Sequence, residues 1–90
     1  MTWAIKFAGS AKRELKRLDK QVQQNIRNYL RDKIATDLDP YRFGAPLRKN
    51  LSGLWKYRVG DYRVICNIQD QEIVVLVLRV GHRKKVYGGH

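Results

Sequence analysis

The stretch "LWKYRVGDYRVICNI", residues 54–68, decides the fold. Trp55, Tyr57 and Val59 alternate with Lys56 and Arg58, and Tyr62, Val64, Cys66 and Ile68 alternate with Arg63, Ile65 and Asn67. A side-chain period of two marks an extended strand with one face buried. Only Gly60 and Asp61 separate the two runs, and glycine at the first central position of a two-residue loop favours a type II′ hairpin turn. Two antiparallel strands are therefore expected, apolar and aromatic on one side and basic on the other.

Towards the C-terminus, Gln69, Asp70 and Gln71 turn the chain, and "EIVVLVLRV", residues 72–80, is apolar on both faces. That is the pattern of a strand at or next to the centre of a sheet. On this reading Ile65, Val75 and Val77 floor the basic face. Towards the N-terminus, "ATDLDPYRFGAP", residues 35–46, is punctuated by Pro40, Gly44 and Pro46 and reads as a loop. Before it, Ala11, Leu15, Leu18, Val22, Ile26, Tyr29 or Leu30, and Ile34 recur at helical spacing, with Ser10 placed to cap the start. Asp19 is placed to cap a second helix at Lys20, so a hairpin of two helices is expected rather than one long helix. Trp3, Ile5 and Phe7 alternate with Ala4 and Lys6, predicting a first strand over residues 2–8. The whole is an α+β fold: one small domain over residues 1–90, β-α-α-β-β-β, with the helical hairpin packed on a mainly antiparallel four-stranded sheet.

Composition narrows the function. The 90 residues carry 19 Lys and Arg against 8 Asp and Glu, a net charge of +11, more than solubility requires, so a polyanionic partner is expected. Cys66 is the one cysteine, which excludes an internal disulfide, and no apolar leader opens the chain, so the cytoplasm is the expected compartment. The longest apolar run, Ile73 to Leu78, falls far short of the roughly 20 residues that span a bilayer. No membrane partner is expected. Cys, His and carboxylates do not cluster at ligand spacing, so neither a metal nor another cofactor is expected. His82 and His90 are the only histidines, and His90 follows two glycines at the chain end, which speaks against a two-histidine ribonuclease.

Three cations, Lys56, Arg58 and Arg63, fall on the hairpin face opposite the core, and the next strand delivers "GHRKKVY", residues 81–87, to its end. Like charges so close repel, and a bound anion relieves the repulsion. A partly apolar floor rimmed by cations suits a nucleotide, with phosphates at the rim. Lysine and arginine alone can cleave RNA, the amine taking the 2′-OH proton and guanidinium groups stabilising the charge that develops on phosphorus. Tyr87 is placed to stack on or orient a base. The helical cations Lys12, Arg13, Lys16, Arg17 and Lys20 read first as a solvated face.

The residues "APLRKNLSGLWKYRVGDYRVICNI" (45–68) and "VVLVLRVGHRKKVY" (74–87), preceded by "FAGSAKRELKRLDKQVQQNI" (7–26), resemble the RelE branch of the RelE/ParE toxin superfamily in order and spacing. The resemblance implies a microbial RNase-like fold. It also implies the toxin of a type II toxin–antitoxin system: a ribosome-dependent, metal-independent endoribonuclease (mRNA interferase) that inhibits translation by cutting mRNA in the A site through 2′-OH attack. Carried over by position, Lys56 is the general base, Arg63 stabilises the transition state, Arg83 does so too or acts as an acid near the leaving group, and Tyr87 positions or stacks the mRNA base. Lys49, Arg58, Arg79, His82, Lys84 and Lys85 then bind RNA. The implied partners are mRNA, the ribosome with its 16S rRNA, and an acidic RelB-like antitoxin, in an oligomeric complex that binds DNA through the antitoxin. Leu54 stands where some members carry a second lysine and His82 where others carry lysine. Three residues follow Tyr87, too few for the C-terminal helix that many members possess. Two alternatives keep the same fold: a ParE-like inhibitor of DNA gyrase, and a non-catalytic basic RNA-binding module.

Overall fold

The computed structural model describes residues 1–47 and 53–86, with the backbone alone for Lys85 and Val86. The hairpin has the register its alternation demands. β3 (Leu54–Val59) and β4 (Tyr62–Gln69) run antiparallel, placing Trp55 opposite Cys66, Lys56 opposite Ile65, Tyr57 opposite Val64 and Arg58 opposite Arg63. Gly60 takes φ 61° while Asp61 stays at negative φ, as a type II′ turn requires.

β5 (Val74–His82) pairs antiparallel with β4, and β1 (Ala4–Phe7) pairs parallel with β5. The sheet order is β1-β5-β4-β3-β2, five strands instead of the expected four, with β5 next to the centre. The extra strand is β2 (Ala45–Pro46), which pairs with Lys56 and Trp55 along the outer edge of β3. Proline is tolerated there because an edge strand has an N–H side that needs no partner.

The loop before β2 is held by side chains from the sheet. The Asp39 carboxylate accepts from the Tyr41 amide at 2.8 Å and caps the 3₁₀ turn Pro40–Arg42. Tyr57 donates its hydroxyl to the Pro40 carbonyl at 2.8 Å, and Trp55 Nε1 donates to the Phe43 carbonyl at 2.7 Å. Gly44 has φ 78°, and a Cβ there would stand 2.2 Å from the Lys56 carbonyl oxygen. Only glycine permits that approach.

Helices α1 (Gly9–Lys16) and α2 (Lys20–Tyr29) form the expected hairpin, broken where the Asp19 carboxylate accepts from the Gln21 amide at 3.1 Å. α2 continues into a π turn, Leu30–Ile34. Ser10 does not cap α1, because Ala8 holds that position and Ser10 lies within the first turn. Its hydroxyl instead donates to the Leu78 carbonyl at 2.9 Å, and Glu14 Oε1 accepts from the Val80 amide at 2.8 Å. β5 outruns β1, and these two side chains satisfy backbone groups that β1 no longer reaches.

The helices cover one face of the sheet. Ala11, Leu15, Ile26, Leu30 and Ile34 pack on Tyr57, Val64, Cys66, Ile68, Val75, Val77 and Val80, none more than 9% exposed. Val75 and Val77 were expected on the basic face. They turn to the core because the β4–β5 register slips by one residue: Ile65 faces Arg79 and Cys66 faces Val77, leaving Leu78 as a bulge. A bulge reverses the side-chain phase beyond it, so Leu76 takes the open face below the slip and Arg79 takes it above. β5 then passes directly into a one-turn helix, α3 (Arg83–Val86), which the alternation did not announce. Among the described residues no helix is long and apolar enough to cross a membrane.

Candidate active site

The uncovered face of the β3–β4 hairpin carries the basic constellation. Lys56, Arg58 and Arg63 line one concavity of about 310 Å³, closed on its outer side by Gly44 and Ala45. Lys56 and Arg63 are half-buried and Arg58 is exposed. Arg58 and Arg63 are register partners, so two like-charged residues fall opposite one another on this face of the ladder. Arg58 Nε donates to the Gly60 carbonyl at 3.4 Å and an Arg63 amine donates to the Tyr62 carbonyl at 3.2 Å, which anchors both stems at the turn. Ile65, 5% exposed, sits between Lys56 and Arg79 in the ladder.

The other expected residues fall differently. Arg83 opens α3 and is exposed, with its amide donating to the Asp61 carbonyl at 2.9 Å, so α3 is tied to the turn of the same hairpin. Lys84 is exposed beside it. Arg79 bonds the Glu14 carboxylate at 2.8 Å instead of standing ready for phosphate. His82 packs edge-on against Tyr62, its register partner, with ring centroids 5.5 Å apart. Lys49, Tyr87 and the Lys85 side chain lie outside the described residues. The contribution of Gly44 and Ala45 to the rim was not anticipated; the signal was a glycine placed between two prolines, Pro40 and Pro46.

Three ionisable groups on the covered face are shifted upward. Burial pushes the Cys66 thiol up to about 12 and raises Tyr57 and Tyr29 as well. All three stay protonated at neutral pH and hold the core rather than react. Among the described residues no group of three or more His, Cys, Asp or Glu is placed to hold a metal ion. A second concavity, about 320 Å³, lies between β1 and the end of α2 and is lined by Trp3, Ile5, Phe7 and Leu30 with Arg27 and Arg31. It contains none of the expected site residues.

A family model described as "ParE toxin of type II toxin-antitoxin system, parDE" matches residues 5–87. The chain belongs to the RelE/ParE family of type II toxin–antitoxin toxins. This toxin is 31% identical over 87 residues to Toxin RelG of Mycobacterium tuberculosis, covering 97% of this chain and 98% of the relative. It is 30% identical over 83 residues to Toxin RelE of the same organism, covering 92% and 84%. The toxin–antitoxin complex RelBE2 from M. tuberculosis contains a chain that matches the present fold with a TM-score of 0.81 at 31% identity, over 92% of this chain and 93% of that one. An arginine-to-alanine double mutant of the Escherichia coli toxin RelE in the free state matches with a TM-score of 0.73 over 94% and 87%; at 21% identity it shows the shared fold.

Proposed function

We propose that this toxin is an endoribonuclease that cuts mRNA in the ribosomal A site without a metal ion, and so stops translation in the cytoplasm. One observation carries the reading: Lys56, Arg58 and Arg63 line a single concavity on the sheet face that the helices leave bare. In the reaction Lys56 takes the proton from the 2′-OH, the 2′ oxygen bonds to phosphorus, and the bond from phosphorus to the 5′ oxygen breaks. The products are a 2′,3′-cyclic phosphate and a 5′-hydroxyl, the latter protonated by Arg83 or by water. Arg63 neutralises the charge that builds on the non-bridging oxygens, and it acts from a fixed position because strand pairing sets it in advance.

Arg58, Lys84 and, by position, Lys49 and Lys85 bind phosphates of mRNA or 16S rRNA, and Tyr87 stacks on the base, whereas Arg79 is held by Glu14. The charge of +11 suits an acidic RelB-type antitoxin as the inhibitory partner, in an oligomeric complex whose antitoxin binds DNA. A second reading follows from the ParE description of the family model: inhibition of DNA gyrase. A gyrase inhibitor has no use for three cations around one concavity, which favours the ribonuclease.

The test is primer extension on a reporter mRNA in a purified translation system, with and without ribosomes, alongside a gyrase supercoiling assay. Cuts inside ribosome-occupied codons that disappear with Arg63→Ala and Arg83→Ala are expected. Intact mRNA together with blocked supercoiling transfers the assignment to gyrase, and salt-sensitive RNA binding with neither effect reduces it to a binding module.

A further inference from the structure

Helix α3 opens in an unfavourable way. Its four residues, Arg83–Val86, begin with three successive cations at the positive end of the backbone dipole, with no acidic residue in the turn. A single turn also lacks the internal hydrogen bonds to hold itself. Its first amides therefore need partners from outside the helix.

Two are supplied. The Arg83 amide donates to the Asp61 carbonyl at 2.9 Å, and the Lys84 amide donates to His82 Nδ1 at 3.2 Å. The imidazole is itself steadied by Tyr62, its register partner across the β4–β5 ladder, at an interplanar angle of 80°. An imidazole accepting at Nδ1 carries its proton on Nε2. It thus acts towards α3 as a side-chain cap, in the manner of an asparagine before a helix.

We infer that His82 is a positioning residue, whose Nδ1 holds the turn that sets where Arg83 leaves the sheet beside the Gly60–Asp61 turn. What Arg83 then does rests on the ribonuclease reading; the cap itself does not. The arrangement places the ring against Tyr62 on the side of the ladder shared with Val64 and Val80, rather than over the concavity lined by Lys56 and Arg63. A base or acid acting directly on RNA would belong over that concavity.

The experiment compares wild type, His82→Asn and His82→Gln in single-turnover cleavage of ribosome-bound mRNA. It also measures the solvent-exchange rate of the Lys84 amide in the purified toxin by NMR. The asparagine oxygen occupies the place of Nδ1, whereas glutamine carries its oxygen one bond further out. His82→Asn is expected to stay within about threefold of wild type, while His82→Gln loses about tenfold in kcat with KM nearly unchanged, because a misplaced Arg83 affects the chemical step more than binding. The Lys84 amide should exchange about tenfold faster in His82→Gln and at the wild-type rate in His82→Asn. Equal impairment of cleavage in both variants overturns the inference and makes the ring itself a reacting group. Equal Lys84 exchange in wild type and His82→Gln overturns it too. If wild type leaves mRNA intact, the ribonuclease reading fails alone, and the exchange contrast by itself supports or overturns the cap.

Discussion

The two faces of β4 differ more than any two separate elements of the molecule. Val64, Cys66 and Ile68 look towards the helices and are at most 9% exposed, whereas Arg63 and Asn67, alternating with them, look the other way, and Arg63 stands among Lys56 and Arg58. A period of two lets one strand serve both faces at once. The covered face provides apolar burial, worth roughly 25 cal/mol per Å². The open face is then able to place Arg58 opposite Arg63 and still fold.

That division predicts that substitutions on the two faces do opposite things. Arg63→Ala should lower cleavage by about 10²–10³-fold, or about 3–4 kcal/mol of barrier, while changing folding stability by less than about 1 kcal/mol. Ile26→Ala, beneath the sheet, should cost about 2–4 kcal/mol of stability in urea unfolding and leave the cleavage rate of the folded fraction unchanged. If either variant moved both quantities by comparable amounts, the faces would not be independent.

Gly44→Ala is expected to breach the division. Its Cβ would meet the Lys56 carbonyl at 2.2 Å and its φ of 78° disfavours alanine, so β2 must shift and take the rim of the concavity with it. A stability loss of about 2 kcal/mol accompanied by a fall in cleavage is the expected pair, read by urea unfolding and single-turnover assay.

The smallest effect belongs to the covered face alone. The folded protein holds the Cys66 proton up to about pH 12, whereas the unfolded thiol releases it near its ordinary value of about 8.5. Above that value the unfolded chain binds fewer protons than the folded one, so stability is complete below it and declines as pH rises towards 12. At pH 9.5 the loss should be about 1–2 kcal/mol. Cys66→Val keeps the core volume and should flatten this decline in denaturant unfolding measured from pH 8 to 10, with cleavage at neutral pH unaltered.

Local features were legible in the sequence where a few neighbouring residues determine them. The phase of Lys56, Arg58 and Arg63, the tight turn at Gly60 and the helix break at Asp19 each follow from contacts within a turn or one strand pair. The bulge at Leu78 was not legible, because "EIVVLVLRV" is apolar on both faces and its alternation has no phase to read. Val75 and Val77 were misplaced for that reason. β2 is too short to have a period, and its existence depends on Tyr57 and Trp55 gripping the loop from another part of the chain. Ser10 has the chemistry of a cap, but a distant carbonyl at the uncovered edge of β5 recruits it.

The most direct test of the account replaces the 2′-OH with hydrogen at the scissile nucleotide of a ribosome-bound mRNA and follows cleavage by the wild-type toxin. The account predicts that the deoxy substrate remains whole while the all-ribose control is cut and ends in a 2′,3′-cyclic phosphate. Cleavage of both at the same rate would contradict it, since the basic face would then not act through the neighbouring hydroxyl.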